Sequence, residues 1–243
     1  MTEAEWLACT DSKAMLAFLR GKASDRKLRL FTAARCRLFR HDCDDWWPID
    51  TRRFQEAVDA AEQFSDGLCP AEQLTRFHRP WDEFSGDLHS QTIDPHGGST
   101  VLLPDSLGPV LVQIVSSPEA GSAARGALYD DLQSYFIGTW KDGRQERRAE
   151  CQLLQEVFGN PFRPVSLNPA WLTWNDGTVR RLAEAIYQER ELPSGHLDLT
   201  RLAVLADALE DAGCADPDLL GHLRGPGPHV RGCWAVDLLL GKE

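Results

Sequence analysis

Along most of this chain, apolar residues return at steps of three and four, the spacing that lines one face of an α-helix. Asp11 stands where a cap would, ahead of Met15, Leu16 and Leu19, and Gly21 follows as a stop. Ser24 or Asp25 opens a longer run through Leu28, Phe31, Ala34 or Arg35, and Leu38. After Asp50 or Thr51, the residues Phe54, Ala57, Val58, Ala61 and Phe64 form a second stripe that closes at Asp66-Gly67. Pro70 suits the first turn of a short helix through Leu74 and Phe77.

From Pro80 to about Ser117 the pattern lapses into glycine and proline (Gly86, Pro95, Gly97, Gly98, Pro104, Gly108, Pro109), which predicts a long irregular segment. Val110 to Val115 is too short to tell a buried strand from a helix by period, and the lack of partner strands favours helix. Beyond Pro118, Ala123, Ala127, Leu128, Leu132, Tyr135 and Phe136 restore the helical step. Arg147 to Phe158 continues as helix until Gly159-Asn160-Pro161.

The C-terminal region is the most strongly punctuated. Pro161, Pro164 and Pro169 hold an extended crossing that delivers Trp171 and Trp174. Asp176 or Thr178 caps a helix carrying Val179, Leu182, Ala183, Ile186 and Tyr187. Asp198 or Thr200 opens the next, with Leu202, Leu205, Ala206 and Leu209 on one face and Gly213 as its stop. Asp216-Pro217 is a cap followed by proline at the first helical position, and that helix ends at Gly225. A last helix, Val230 to Leu240, is apolar on most sides and is expected to be buried. The prediction is an all-α fold, a helical bundle or stacked helix-pair array with a long irregular middle. It divides into an N-terminal helical region (1–79), a loop or linker (80–117) and a C-terminal helical domain (118–243).

Composition narrows the setting. A chain of 243 residues with 42% hydrophobic content is large enough to build a core without covalent staples. No apolar run approaches the roughly 20 residues that span a bilayer, so no membrane partner is expected. The acidic start, Met1-Thr2-Glu3-Ala4-Glu5, lacks the basic-then-apolar order of an export signal, which points to the cytoplasm. There the seven cysteines (Cys9, Cys36, Cys43, Cys69, Cys151, Cys214, Cys233) are expected as thiols. The net charge of −11 argues against general nucleic-acid affinity.

Charge is unevenly spread, however. Arg20, Lys22, Arg26, Lys27, Arg29, Arg35, Arg37 and Arg40 are opposed within their segment by Asp25 alone. Arg26, Lys27, Arg29, Arg35, Arg37 and Arg40 are therefore the candidate partner or nucleic-acid contacts, with Phe31 or Phe39 as stacking groups. Three readings compete: phosphates, an acidic protein partner, or pairing with the acidic remainder of the chain itself. The acidic balance favours the last two.

Candidate chemistry sits elsewhere. Cys214, His222, His229 and Cys233 are spaced C-x7-H-x6-H-x3-C, and thiolate with imidazole is the donor set zinc takes. The spacing lacks the tight pairs of specific zinc motifs, so buried thiols are the preferred reading and no cofactor is expected. His229 and Cys233, four apart, could also form a thiol–imidazole pair, but no orienting partner has a recognisable spacing. Gly225-Pro226-Gly227-Pro228-His229-Val230-Arg231 offers an anion site at a helix start through His229 and Arg231, although the same residues serve to stop one helix and begin another. His41, Asp42, Cys43, Asp44 and Asp45 could hold a divalent ion or form a solvated turn. Asp207, Glu210 and Asp211 are read as an outer, solvated face.

Met1-Thr2-Glu3-Ala4-Glu5-Trp6-Leu7-Ala8-Cys9-Thr10, the stretch Phe18 to Phe31, Phe158-Gly159-Asn160-Pro161-Phe162-Arg163-Pro164-Val165 and Gly225 to Trp234 resemble a family of uncharacterised bacterial proteins abundant in planctomycetes. The resemblance covers both ends, and Trp46 to Glu150 departs from it. Leu205-Ala206-Asp207-Ala208-Leu209-Glu210-Asp211-Ala212-Gly213 also resembles the "YADWLEERG" helix of the repeat-companion domain. No reaction and no catalytic residue comes with either likeness. What they imply is an α-helical, intracellular, multi-copy protein, better suited to an adaptor than to a housekeeping enzyme. The expected function is a non-enzymatic protein-interaction module. A nucleic-acid-associated factor and a metal-dependent enzyme or zinc-stabilised fold are the alternatives.

Overall fold

The computed structural model describes residues 1–43, 51–78, 115–117, 119–121, 124 and 143–242. Among these residues the fold is all-α, and no sheet is present. No helix among them is long and apolar enough to cross a membrane. The chain divides into two compact units, Thr10–Glu150 and Met1–Cys9 with Cys151–Glu243. Against the expected regions, residues 1–9 join the C-terminal block and that block starts at Cys151 instead of residue 118, while the expected loop or linker (80–117) lies outside the described residues except for 115–117.

In Thr10–Glu150 the helices begin where the side chains can cap them. Asp11 accepts the Lys13 amide at 3.1 Å and opens α2 (Ser12–Leu19), and Ser24 accepts the Lys27 amide at 3.3 Å as α3 (Asp25–Cys43) begins. Helix α4 (Thr51–Ser65) packs along α3, burying Phe54, Ala57, Val58 and Ala61 against Leu30, Phe31, Ala33 and Ala34. Ala33, Ala34, Ala57 and Ala61 place small side chains among these buried residues. Helix α5 (Ala71–Thr75) starts after Pro70, which sits one place outside the first turn as the cap. Of the expected element at Val110 to Val115, only Val115 lies within the described residues. Asp50 lies outside them, as do the repeats of Ala127 to Phe136.

The other unit is built on α1 (Glu3–Leu7), the end of α6 (Gly143–Phe158), α7 (Pro169–Thr173), α8 (Thr178–Gln188), α9 (Leu199–Asp211), α10 (Pro217–Leu223) and α11 (Trp234–Leu240). A capping box opens α1, in which Thr2 accepts the Glu5 amide and Glu5 accepts the Thr2 amide at 2.7 Å. Five residues cannot hold a helix alone, so α1 is tied to the end of α6. The fully buried Trp6 donates its indole N–H to the Gly159 carbonyl at 3.0 Å, and Gln155 donates back to the Trp6 carbonyl at 2.9 Å. The core joins Val179, Ala183 and Ile186 of α8, Leu202, Leu205 and Leu209 of α9, Leu219 and Leu223 of α10, and Val236 and Leu239 of α11.

Two boundaries differ from the sequence reading. Helix α8 is entered from Gly177, not from Asp176 or Thr178, because Asn175 and Asp176 both take left-handed conformations in the tight turn before it. The last helix starts at Trp234, not at Val230. The Leu197 amide donates to the His229 carbonyl at 2.9 Å, and Val230 bridges His196, so the chain stays extended there. Gly232, with φ of 95°, then turns it into Cys233, the cap residue of α11.

Gly159 shows how closely this unit is packed. Its φ is +64°, and a Cβ there would lie 2.9 Å from Cγ of Trp234. Gly159→Ala is expected to cost about 2 kcal/mol through backbone strain and displacement of the indole. Urea denaturation of the full chain measures this, and an unchanged or raised midpoint would contradict the packing described.

Candidate metal centre

Glu156, His222, His229 and Cys233 reach one point from four separate places in the chain, all in the Met1–Cys9 with Cys151–Glu243 unit. Glu156 lies in the last turn of α6, beside the buried Leu153, Leu154 and Val157. His222 is set by α10, whose start is fixed by Asp216 accepting the Leu219 amide at 2.9 Å, with Pro217 in the first turn. The end of α10 is held onto α9 by Arg224, which donates to Asp207 at 2.7 Å and to Glu210. Asp207, Glu210 and Asp211 are exposed, as expected of an outer face, and two of them pair with the helix that carries His222. His229 sits on the extended Gly-Pro segment, and Cys233 caps α11.

One donor atom from each of the four residues lies within 4.8 Å of every other. His222 Nε2 is 3.1 Å from Glu156 Oε2 and 3.2 Å from Cys233 Sγ. His229 Nδ1 is 3.2 Å from the same Glu156 oxygen. The second oxygen, Oε1, accepts the Val230 amide at 3.2 Å. On its far side, His229 Nε2 lies 3.2 Å from the Gly225 carbonyl, an acceptor only, so that nitrogen carries the proton. The two imidazole rings meet edge to face with centroids 4.9 Å apart, and the Trp234 ring lies 5.0 Å from that of His222. Glu156, His229 and Cys233 are buried and His222 is partly exposed.

The electrostatics follow from crowding. Burial pushes the Glu156 carboxyl up, but the hydrogen bonds and charge of His222 and His229 outweigh it and hold the group at about 2. Burial acts to lower His229, yet Glu156 and the Gly225 carbonyl leave it raised. Burial and the neighbouring Glu156 charge push the Cys233 thiol well up. Lone pairs of one carboxylate, two imidazoles and one sulfur thus face each other at short range. Only protons or a cation between them can make that arrangement favourable.

Of the expected metal set, His222, His229 and Cys233 are brought together and Cys214 does not belong to the group. Cys214 is a buried thiol just past the end of α9, its amide donating to the Leu209 carbonyl at 2.8 Å. Glu156 takes the fourth place. Its one sequence signal is an acid set among Leu153, Leu154 and Val157, which the same helix turns inward, as it also buries Glu150. The anion expected at His229 and Arg231 is to a large extent the chain's own, since His229 and the Val230 amide both face Glu156. Arg231 is buried, with its guanidinium 4.7 Å above the Tyr187 ring.

The basic stripe is engaged within Thr10–Glu150. Arg26 pairs with Asp66 at 3.0 Å, and Arg29 donates to the Ser117 carbonyl at 2.7 Å. Arg35 pairs with Glu150 at 3.0 Å, and Arg37 holds Asp59 at 2.6 Å and Glu62 at 3.0 Å. Lys27 lies in the first turn of α3. The side chains of Arg40, His41, Asp42 and Cys43 lie outside the described residues, as do Asp44 and Asp45 altogether. Comparisons with protein-family models, with curated proteins and with solved structures find no match.

The Glu156–His229 contact sets a pH window for the chain kept free of divalent metal by chelator. The lowered carboxyl stabilises the fold above the ordinary carboxylate value near 4.5, and loses that contribution as pH falls towards about 2. The raised imidazole stabilises the fold below the ordinary value near 6.5, and loses its contribution as pH rises through its raised value. Stability from this contact is therefore expected to peak between those two values. Thermal melts of wild type and Glu156→Gln across that range check it. A Glu156→Gln profile parallel to wild type at every pH would contradict the assignment.

Proposed function

We propose that the protein is a non-enzymatic α-helical interaction module, an adaptor whose partner is a protein. The observation that carries this reading is the placement of its reactive side chains. Glu156, His229 and Cys233 are interior, and all four donors of the group come from the chain itself, the arrangement of a brace and not of a substrate cleft. The arginines of the stripe weigh against the nucleic-acid alternative. Phosphate contacts would have to displace Asp66 from Arg26, Glu150 from Arg35, and Asp59 and Glu62 from Arg37. Helices that spend their charges internally leave recognition to shape and to exposed apolar side chains, of which Leu192, Leu199 and Val204 are examples. A cytoplasmic setting belongs to the same reading and agrees with the buried thiols Cys36, Cys214 and Cys233.

Native affinity purification of the full chain, with mass spectrometry and an absorbance check for nucleic acid, tests this. The expected result is a protein recovered in near-stoichiometric amount and no nucleic acid retained at low salt. Repeated recovery of the bait alone, or salt-sensitive retention of DNA or RNA, would overturn it.

A further inference from the structure

We propose that Glu156, His222, His229 and Cys233 bind a single zinc ion as a closed structural centre that staples α6, α10 and α11 together. The inference is independent of the adaptor reading and stands whether or not a partner is found.

Geometry is the first support. In a tetrahedral zinc site with bonds of about 2.0–2.3 Å, neighbouring donors lie roughly 3.3–3.8 Å apart. Three of the six donor pairs, at 3.1, 3.2 and 3.2 Å, fall just short of those edges, and all six lie within 4.8 Å, so small side-chain adjustments that open the short pairs and draw in any longer ones admit the ion. A neutral imidazole and a thiol at 3.2 Å form at best a weak hydrogen bond. As two donors to one cation they form an ordinary pair.

The supporting groups are also in place. The Gly225 carbonyl keeps the proton on His229 Nε2, which leaves a lone pair at Nδ1 aimed at the centre. The Val230 amide holds Glu156 Oε1, so Oε2 is the oxygen presented. Ligating histidines in metal sites are commonly oriented in this way, by a hydrogen bond from the nitrogen that does not bind metal.

Charge and donor type then select the ion. Binding the ion releases the Cys233 thiol proton, and any proton on His229 Nδ1, to solvent; one carboxylate and the resulting thiolate then match the charge of a divalent cation, and two neutral imidazoles complete four donors. The interior centre is neutral when filled. Magnesium and calcium take oxygen-rich shells, whereas sulfur with imidazole suits zinc. Four protein donors leave no position for a reacting water, so the centre is structural. His222, the partly exposed member, stands on the solvent side where an ion would enter.

The fold supplies a reason for such a staple. Helices α10 and α11 have seven residues each, and helices that short do not persist in water on their own. The segment between them, Arg224 to Cys233, contains Gly225, Pro226, Gly227, Pro228 and Gly232, and its backbone pairing is limited to a single bridge between Val230 and His196 with the Leu197 amide on the His229 carbonyl. Binding His222 before it, His229 within it and Cys233 at its end fixes the whole connection against α6.

The test is metal analysis of the full chain purified without chelator, followed by cobalt(II) titration of the stripped protein. The expected result is one zinc per chain, and a cobalt spectrum with tetrahedral visible bands and the charge-transfer band of one thiolate. Cys233→Ser should abolish that band, and Cys214→Ser should leave it unchanged. His222→Gln, at the most exposed ligand, should weaken zinc binding on the order of a hundredfold or more. Substoichiometric zinc after reconstitution, an octahedral cobalt spectrum without thiolate, or loss of the band in Cys214→Ser with retention in Cys233→Ser would each overturn the proposal. If Cys233→Ser fails to fold, the wild-type spectrum and the Cys214→Ser control still decide it.

Discussion

The buried carboxylate of Glu156 is the constraint on which the C-terminal architecture depends. Removing an ionised carboxylate from water costs several kcal/mol unless partners replace the lost hydration. Here the partners are two imidazoles on Oε2 and a backbone amide on Oε1. They come from two stretches of chain, His222 on α10 and the adjacent His229 and Val230 beyond it, so satisfying one acid fixes α10 and the Gly-Pro segment. Cys233, held against His222, brings the start of α11 to the same point. Trp234 follows immediately, with its ring over Gly159 and beside His222, and apolar packing thus continues where the polar cluster ends.

The two units handle buried charge differently. In Thr10–Glu150, Arg37 is matched directly by Glu62 and Asp59, and α3 is locked to α4 by ion pairs of opposite sign. That arrangement is complete in itself. In the other unit a single acid faces groups that are all good metal donors and only conditionally positive. Its balance is met by protons or by a divalent ion, and the second closes four donors at once. A centre so enclosed offers no open face to a substrate, which is the observation the adaptor reading draws on, whereas the zinc proposal rests on the four donors alone and does not require that reading.

Local features were the legible ones. Asp11, Asp198 and Asp216 cap the helices expected of them because a cap acts across two or three residues, within reach of pattern reading. The apolar stripe of Phe54, Ala57, Val58 and Ala61 is buried for the same reason, since the helical period alone fixes its face. The centre was only partly legible. His222, His229 and Cys233 are near neighbours in sequence, but Glu156 stands 73 positions before His229, and only the packing of α6 brings it in. Cys214 has the residue type of a ligand, yet its place just past the end of α9 turns it into core. The charge of the basic stripe was evident from composition, whereas its partners Asp59, Glu62, Asp66 and Glu150 depended on how helices pair. The apolar run from Val230 does not reveal the start of α11, because nothing in it marks Gly232 as the residue that takes a left-handed turn.

Anomalous diffraction at the zinc edge, from crystals of the full chain grown without chelator, tests the central claim most directly. The account predicts one peak within bonding distance of Glu156 Oε2, His222 Nε2, His229 Nδ1 and Cys233 Sγ, with Cys214 remote from it. A peak elsewhere, or none while the two histidines remain hydrogen-bonded directly to Glu156, would contradict it.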